Sequence, residues 1–218
     1  MIELAQEPPY STLYDDIYFS TDDGLSESKA VFLDGIGAPD VWVGQKSFVV
    51  CELGFGTGLN FLNTLKMWGE ANLTDQKLIY IATEKHPLSL SEIKQAIHWP
   101  SLQPYLREVL NSYPESTKLL DGRVSLELLI GDSAELLVGS NVKVDGWYMD
   151  GFAPKKNPDM WSDEIFKQMR RLSNRGARMA TFTAAGFVRR GLKAAGFDMI
   201  KRTGYGKKRE MLAGVFRG

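Results

Sequence analysis

The sequence predicts an α/β fold with a mostly parallel sheet, and three observations support this. Apolar runs of strand length alternate with segments of helical spacing, as in chains that build parallel sheets covered by helices. One run, residues 48–53, passes directly into a glycine-rich loop. Acidic residues stand at or beside the ends of four runs, and the carboxyl ends of parallel strands form the ligand-binding edge of such sheets.

Two short strands are predicted upstream of the core, at residues 18–28 and 31–35, because apolar residues there flank a polar turn. We expect them to form a lid or an extra hairpin at the ligand-binding edge. Residues 1–218 are accordingly interpreted as one domain, with N-terminal strands and lid in residues 1–46 and the binding core in residues 47–218.

The first core strand is followed by a loop of the form Glu52-x-Gly54-x-Gly56-x-Gly58, and a helix is predicted from about Leu59. Glycines let the backbone approach a ligand closely, and a helix N-terminus offers unpaired N–H groups. The dinucleotide fingerprint needs glycine at its sixth position, where this chain has Leu59, which argues against NAD. The spacing instead resembles the loop of S-adenosylmethionine (SAM) methyltransferases. The alternative is that the glycines only form a strand-to-helix turn.

Three further strands are predicted at residues 78–83, 124–130 and 144–149. Glu84 ends the first of them, where a carboxylate can accept hydrogen bonds from ribose hydroxyls. Asp132 and Ser133 follow the second, where the adenine edge would lie, although an N-cap role for Asp132 is an open alternative. Asp150 ends the third. Between the strands, residues 88–97 and 102–113 predict a helical insertion, interrupted by prolines, that covers the substrate.

The C-terminal third continues the alternation of helices and strands. A helix is predicted to begin at Asn157-Pro158 and to end near residues 175–176. A strand at residues 178–182, a helix at residues 184–195 and an antiparallel terminal ribbon of residues 197–202 and 211–216 follow. A glycine-rich basic loop at residues 203–210 connects the two strands of this ribbon. The loop is either a nucleic-acid contact or a plain hairpin connection.

Composition fits a compact enzyme, with 218 residues, 44% apolar and 24% charged. The sole cysteine, Cys51, lies in the first predicted core strand, so we expect buried packing and a reducing, cytoplasmic compartment. Because no apolar run approaches the roughly 20 residues of a membrane span and residues 1–7 do not resemble a signal peptide, we expect a soluble, unprocessed protein. His86 and His98 lack metal-ligand spacing, so no metal is expected.

Charge is distributed unevenly along the chain. Residues 1–150 carry 10 basic and 22 acidic residues, whereas residues 151–218 carry 16 basic and 5 acidic residues. A basic C-terminal third predicts a polyanionic partner such as nucleic acid, although solvated helix faces and loop tips are the alternative for any one pair. The candidate phosphate or substrate contacts are Lys155, Lys156, Arg189, Arg190, Lys207, Lys208 and Arg209.

Several segments together resemble one known family. They are residues 18–27, 52–61, 131–132, 150–161, 181–190 and 207–212. They resemble the methyltransferase domain of the MnmC family, which makes 5-methylaminomethyl-2-thiouridine in tRNA, and the resemblance covers nearly the whole chain. It implies a class I SAM-dependent methyltransferase fold of the Rossmann-like kind, with tRNA as partner.

The resemblance also implies a reaction, namely methylation of the aminomethyl group of a modified wobble uridine. Bifunctional members carry a second, FAD-dependent oxidoreductase domain that removes a carboxymethyl group first. The sequence stops at Gly218 without that domain, so we expect no FAD. We also expect either that another enzyme supplies the aminomethyl substrate or that the sequence is a piece of a longer protein.

Methyl transfer to an amine needs the nitrogen lone pair to be free and aimed at the methyl group. Asp150 is the predicted acceptor that orients the amine, because residues 150–154 resemble a relaxed form of the Asp/Asn-Pro-Pro-aromatic motif of amino-methyltransferases. Phe152 is predicted to pack against the uracil, with Lys155 and Lys156 near phosphates. Alternatively, Asp150 binds only the cofactor and a residue of the Tyr18 segment orients the amine.

Two other functions stay open at this level. A small-molecule amine methyltransferase would use the same cofactor site without a polyanion surface. A non-enzymatic RNA-binding module would keep the basic face but would not bind SAM, and the complete glycine loop with Glu84 and Asp132 argues against it.

Overall fold

The computed structural model describes residues 2–3, 9–71, 73–111, 113 and 117–218. Residues 1 and 4–8 of the predicted N-terminal segment, and residue 112 of the predicted insertion, lie outside the described residues. The described strands are β1 (Ile2–Glu3), β2 (Tyr10–Ser11), β3 (Asp16–Ile17), β4 (Ser47–Leu53), β5 (Lys77–Glu84), β6 (Thr117–Leu119), β7 (Val124–Ile130), β8 (Val144–Met149), β9 (Ser173–Thr181), β10 (Phe197–Thr203) and β11 (Glu210–Phe216).

The described α-helices lie mostly between these strands. They are α1 (Gly24–Ser28), α2 (Asp34–Ile36), α3 (Leu59–Glu70), α4 (Leu90–Ala96), α5 (Gln103–Leu110), α6 (Ser133–Gly139), α7 (Asp163–Leu172) and α8 (Gly186–Ala194). A π-helical turn, Lys29–Leu33, joins α1 to α2. Within the described part of the chain, every helix is too short or too polar to cross a membrane.

The main sheet has the strand order β10-β11-β9-β8-β4-β5-β7-β6. Its central neighbours, from β9 to β7, are parallel, whereas β10, β11 and β6 join antiparallel. The predicted mostly parallel sheet with an antiparallel terminal ribbon is therefore confirmed. The chain progresses outward from β4 in one direction and from β8 in the other, so β4 and β8 flank the point where ligands bind in open sheets.

Two apolar cores cover opposite faces of the sheet. Val50 and Cys51 are adjacent in β4 but belong to different clusters of buried residues, because successive side chains of a strand point to opposite faces. Cys51 is 2% exposed, which confirms its predicted burial. One cluster contains Trp42 and Trp68, with ring centroids 5.0 Å apart.

The N-terminal prediction is wrong in position and type. Residues 24–36 form α1, the π-helical turn and α2 rather than strands, and the antiparallel strands β1–β3 lie before them. Asp23 caps α1 by accepting a hydrogen bond from Ser26 N at 3.1 Å. The segment packs tightly on β9, since a Cβ added at Gly35 would lie 2.6 Å from Ala180 Cβ. Tertiary packing, not local strand preference, decides the conformation here.

The predicted helix starting at Asn157-Pro158 is divided in two. A 3₁₀ turn, Pro158–Trp161, precedes Ser162, whose hydroxyl accepts a hydrogen bond from Ile165 N and caps α7. The helix ends at Leu172, three residues before the predicted end, because β9 begins at Ser173 and is longer than predicted.

The helical insertion is confirmed. Helix α4 begins with a capping box between Ser89 and Glu92, and α5 carries Pro104 in its first turn, where proline is tolerated. The short strand β6 after α5 was not predicted. It pairs antiparallel with β7 from Thr117 to Leu119 and extends the sheet at this edge.

Candidate active site

A cavity of about 340 Å³ lies at the carboxyl ends of the parallel strands. Most of its lining comes from three parts of the chain, and the end of β5, Phe182 and the loop between β10 and β11 contribute further residues. The three parts are the N-terminal segment before and within α1, the loop between β4 and α3, and the segment that follows β8. The cavity therefore occupies the edge that the sheet topology assigns to a ligand.

The glycine loop folds back onto the two neighbouring strands. Gly54 N and Phe55 N both donate hydrogen bonds to Thr83 O at 3.1 Å. Gly54 has φ +92°, and a Cβ at this position would lie only 2.6 Å from Asp150 O. Glycine is required here both by the backbone conformation and by the close approach of the chain after β8. Gly58, with φ +76°, precedes the first residue of α3.

Glu84, the last residue of β5, holds the glycine loop in place. Its carboxylate accepts hydrogen bonds from Gly56 N at 2.9 Å and from His86 N at 2.8 Å. The side chain is half-buried and lines the cavity. A carboxylate oxygen can accept more than one hydrogen bond, so Glu84 keeps acceptor capacity for a ligand hydroxyl.

Asp132 and Ser133 stand beside the cavity rather than in its lining. Asp132 caps α6, accepting a hydrogen bond from Ala134 N at 3.0 Å, and pairs with Lys85 Nζ at 3.1 Å. Burial alone would raise the pKa of Asp132, but Lys85 and the backbone donors of α6 outweigh it, so the pKa is lowered. Ser133 Oγ lies 2.7 Å from Thr83 Oγ1 and ties α6 to β5.

A buried hydrogen-bond network joins two carboxylates beneath the cavity. Asn60 Nδ2 donates to Glu52 Oε1 at 2.8 Å and to Asp150 Oδ2 at 2.7 Å. Tyr80 donates its hydroxyl proton to Glu52 Oε2 at 2.9 Å, and Ser28 Oγ donates to Asn60 Oδ1 at 2.7 Å. Asn60 of helix α3 thus fixes two carboxylates, that of Glu52 near the end of β4 and that of Asp150 directly after β8.

Both carboxyl groups favour their neutral form more than an exposed acid does. Burial raises the pKa of Asp150 to about 7, against the opposing hydrogen bond from Asn60. Burial also raises the pKa of Glu52 well above its ordinary value, and the nearby charge of Asp150 adds to this. Asp150 therefore changes its protonation state near neutral pH, as a group that transfers protons in catalysis can do.

An aromatic cluster forms one wall of the cavity. The ring of Phe152 stacks on Tyr14 with centroids 4.6 Å apart and meets the edge of Tyr18 at 5.1 Å. Phe152 has φ +45°, an uncommon conformation for a bulky residue. Trp161 Nε1 donates to Phe152 O at 3.1 Å and helps to hold that conformation.

The N-terminal segment is fastened to the chain that follows β8. Asp16 Oδ2 accepts a hydrogen bond from Ala153 N at 3.0 Å, and Asp15 forms an ion pair with Lys156. Burial raises the pKa of Tyr18 to about 12, with a further contribution from the charge of Glu84, so this hydroxyl stays protonated at neutral pH.

The basic loop between β10 and β11 also lines the cavity, through Tyr205, Lys207 and Lys208. Lys208 Nζ lies 2.9 Å from Glu27 Oε1 and 4.6 Å from the centroid of the Phe182 ring. Glu27 is 9% exposed and also accepts a hydrogen bond from Ser20 N at 3.0 Å. The loop between β10 and β11 is therefore tied to α1 by an ion pair between two residues that line the cavity.

The structure brings together only some of the residues predicted for the site. Those that line the cavity are Tyr18, Gly54, Gly56, Glu84, Asp150, Phe152, Lys207 and Lys208. Those outside its lining are Glu52, Gly58, Asp132, Ser133, Lys155, Lys156, Arg189, Arg190 and Arg209. Lys156 and Lys208 pair with acidic residues, whereas Lys155, Arg190 and Arg209 are exposed on the surface.

Sequence reasoning assigned no role to Asn60, Glu27, Tyr14 or Asp16. Asn60 carried a usable signal, because an asparagine next to Leu59 and Phe61 in a helix with a fully buried side needs hydrogen-bond partners inside the protein. The contacts of Tyr14 and Asp16 depend on the path of the N-terminal strands, which the sequence analysis placed wrongly.

A family model described as S-adenosyl-L-methionine-dependent methyltransferase matches residues 99–217, more than half of the chain. The chain belongs to this family. The fold agrees, since the structure of MNMC2 from Aquifex aeolicus has a TM-score of 0.78, with 22% identity, over 94% of this chain and 66% of that chain. The fold similarity confirms the predicted class I methyltransferase fold, and the family match confirms the predicted use of SAM.

The family model begins at residue 99, but two longer relatives match nearly the whole chain, including the glycine loop. The tRNA 5-methylaminomethyl-2-thiouridine biosynthesis bifunctional protein MnmC of Magnetococcus marinus is 45% identical over 97% of this chain and 33% of its own length. The protein of the same name from Marinomonas sp. is 41% identical over 94% of this chain and 32% of its own length. The methyltransferase chain thus spans about a third of these relatives.

Proposed function

We propose that this methyltransferase transfers a methyl group from SAM to the aminomethyl nitrogen of a wobble uridine in tRNA, giving 5-methylaminomethyl-(2-thio)uridine. The relatives that match nearly the whole chain carry this modified nucleoside in their names. The single observation that carries the proposal for the site is the placement of Asp150 in one cavity with Gly54 and Phe152. This placement supports the proposal because it gives one cavity a carboxylate, a glycine of the candidate cofactor loop and an aromatic wall.

The residues around the cavity fit SAM. Gly54 and Gly56 line the cavity without side chains, so the backbone leaves room there for the amino-acid part of the cofactor. Glu84 offers carboxylate oxygens to the ribose hydroxyls, and Asp132 and Ser133 mark the adenine side. When bound, SAM supplies a methyl group on a positively charged sulfur, a strong methylating centre.

Asp150 acts on the amine in this proposal. An alkylammonium of pKa near 10 must lose a proton before its nitrogen can react. The carboxylate of Asp150 accepts an N–H of the amine and orients it, and the raised pKa of about 7 lets Asp150 receive a proton at neutral pH. Because Tyr14 stacks on Phe152, we place the uracil beside this aromatic cluster rather than between its rings.

We assign the tRNA contact to the basic residues around the cavity mouth. Lys207 and Arg209 belong to the exposed loop after β10, and Lys155, Arg189 and Arg190 extend the positive surface. Lys156 and Lys208 have internal acidic partners, so their share in phosphate binding is smaller. Such a tRNA reaction belongs in the cytoplasm and needs a separate active site that produces the free aminomethyl group.

The test uses the purified chain, labelled SAM and bulk tRNA from cells that lack this enzyme. Label should appear in 5-methylaminomethyl uridine after digestion to nucleosides, and Asp150→Ala should lose it while binding SAM as the wild type does. Label in no nucleoside, with SAM bound and the aminomethyl precursor present, would reject tRNA as substrate and favour a small amine.

A further inference from the structure

A second carboxylate, that of Glu27, faces the same cavity as Asp150. Glu27 is 9% exposed, and each of its oxygens accepts one hydrogen bond, from Ser20 N at 3.0 Å and from Lys208 Nζ at 2.9 Å. A carboxylate has about four acceptor positions, so Glu27 is held in a fixed orientation and still has acceptor capacity.

Glu27 and Asp150 are linked structurally. Ser28, which follows Glu27 in α1, donates to Asn60 Oδ1 at 2.7 Å, and Asn60 donates to Asp150 Oδ2 at 2.7 Å. The two carboxylates are also linked electrostatically. Burial raises the pKa of Asp150 first, and the negative charge of Glu27 raises it further.

The surroundings of Glu27 already bind an alkylammonium group. The ammonium of Lys208 lies against the carboxylate of Glu27 and 4.6 Å from the Phe182 ring centroid. A carboxylate and an aromatic face are the two groups that recognise an alkylammonium in proteins. This corner of the cavity thus has the chemistry to receive the aminomethyl group of the proposed substrate.

We infer that Glu27 is a second acceptor for the substrate amine, and that Glu27 and Asp150 together restrict the reaction to one methylation. This inference rests on the proposed function. A neutral primary amine has two N–H donors and one lone pair in a tetrahedral arrangement. Two fixed acceptors engage both N–H groups, so the lone pair has one direction left and points at the methyl donor.

The same arrangement disfavours the product as a substrate. The nitrogen lone pair forms the new N–C bond while the methyl–sulfur bond breaks and sulfur keeps that electron pair. The surplus proton on nitrogen then passes to Asp150 or to water. The resulting secondary amine has one N–H left, so a second reaction would leave one carboxylate facing a methyl group without its hydrogen bond, which is costly in a buried site.

The experiment compares two substrates, tRNA carrying the aminomethyl group and tRNA carrying the methylaminomethyl group, in single-turnover reactions analysed by nucleoside mass spectrometry. Wild-type enzyme should methylate the primary amine at least 10-fold faster than the secondary amine. Glu27→Ala should slow the first reaction about 10- to 100-fold, as expected for loss of one hydrogen bond to a charged group. Glu27→Gln keeps an acceptor oxygen but no charge, so it should slow the reaction less. In Glu27→Ala the two rates should converge, and dimethylated nucleoside should appear.

Asp22→Asn is the matched control, since Asp22 is an exposed carboxylate lining the same cavity, and it should retain the wild-type rate ratio. Thermal unfolding and SAM binding show whether each variant is folded. Equal wild-type rates on both substrates would overturn the inference without any variant. An unchanged rate ratio in folded Glu27→Ala would also overturn it. Absence of any wild-type methylation of the primary amine would instead reject the proposed function.

Discussion

Replacement of Asp150 by asparagine should make the protein more stable at alkaline pH while abolishing its activity. The folded protein raises the pKa of Asp150 to about 7 by burial, whereas an unfolded chain ionises this group near pH 4. The raised pKa favours folding fully below about pH 4, and this contribution is lost as the pH rises through about 7. Asparagine has no such charge and keeps an oxygen that can accept the hydrogen bond from Asn60.

The magnitude follows from the two pKa values. The stability of the wild type relative to Asp150→Asn should fall by about 2.5 kcal/mol between pH 5 and pH 8, since one pKa unit corresponds to about 1.4 kcal/mol. For a chain of this length, that difference equals about 5–10 °C in melting temperature. The charge of Asp150 also raises the pKa of Glu52, so its removal acts in the same direction there.

The assay is urea unfolding of both proteins at several pH values between 5 and 8, followed by fluorescence and circular dichroism. Asp132→Asn is the control of opposite sign, because its lowered pKa means that its charge stabilises the fold. Between pH 5 and pH 8 that variant should be less stable than the wild type by a constant amount, because the stabilising charge of Asp132 is lost only as the pH falls below about 4. A difference between wild type and Asp150→Asn that stays constant over this range would refute the claim that the fold opposes ionisation of Asp150.

Three other substitutions test the cofactor loop, the ribose contact and the surface. Gly54→Ala should destabilise the protein by more than about 1 kcal/mol in urea unfolding, because its Cβ would lie 2.6 Å from a backbone oxygen. Gly44 also has a positive φ, of +80°, but it has open space around it, so Gly44→Ala should lower the free energy of unfolding less. Glu84→Ala, which removes both acceptor oxygens, should weaken SAM binding about 10- to 100-fold in calorimetry, and unchanged affinity would exclude its ribose contact. Lys207→Ala should weaken tRNA binding and reduce the salt dependence of the binding constant. Lys118→Ala, on β6, is the control. An effect of Lys207→Ala no larger than that of the control would contradict a phosphate contact.

The parallel core could be predicted because its signals are local. Each of the strands β4, β5, β7 and β8 is an apolar run that ends at glycine or an acidic residue, and the structure has all four within one or two residues of the predicted bounds. Glycine spacing likewise predicted the loop before α3. Such features require no knowledge of distant parts of the chain.

The N-terminal segment could not be predicted in this way. Residues 24–36 contain glycines and polar residues that weaken the helical pattern, and their helical form depends on burial of Phe32 and Ile36 against the core. Asn60 illustrates the same limit for the site. Its role arises only where α1, α3 and the chain after β8 meet, and no spacing along the sequence records that meeting.

The carboxylates around the cavity lower the stability of the fold because they are buried with few hydrogen-bond donors. Glu52 and Asp150 share the amide of Asn60, and Glu27 relies on Lys208 from an exposed loop. The cluster thus has more acceptor positions than the donors that these contacts supply. A ligand that brings N–H groups, such as an amine, donates hydrogen bonds to those acceptors. These hydrogen bonds offset part of the free energy that burial of the carboxylates costs, and they add to the binding free energy of the ligand. We therefore expect the site to favour an amine over an alcohol, because an alcohol has one donor where a primary amine has two.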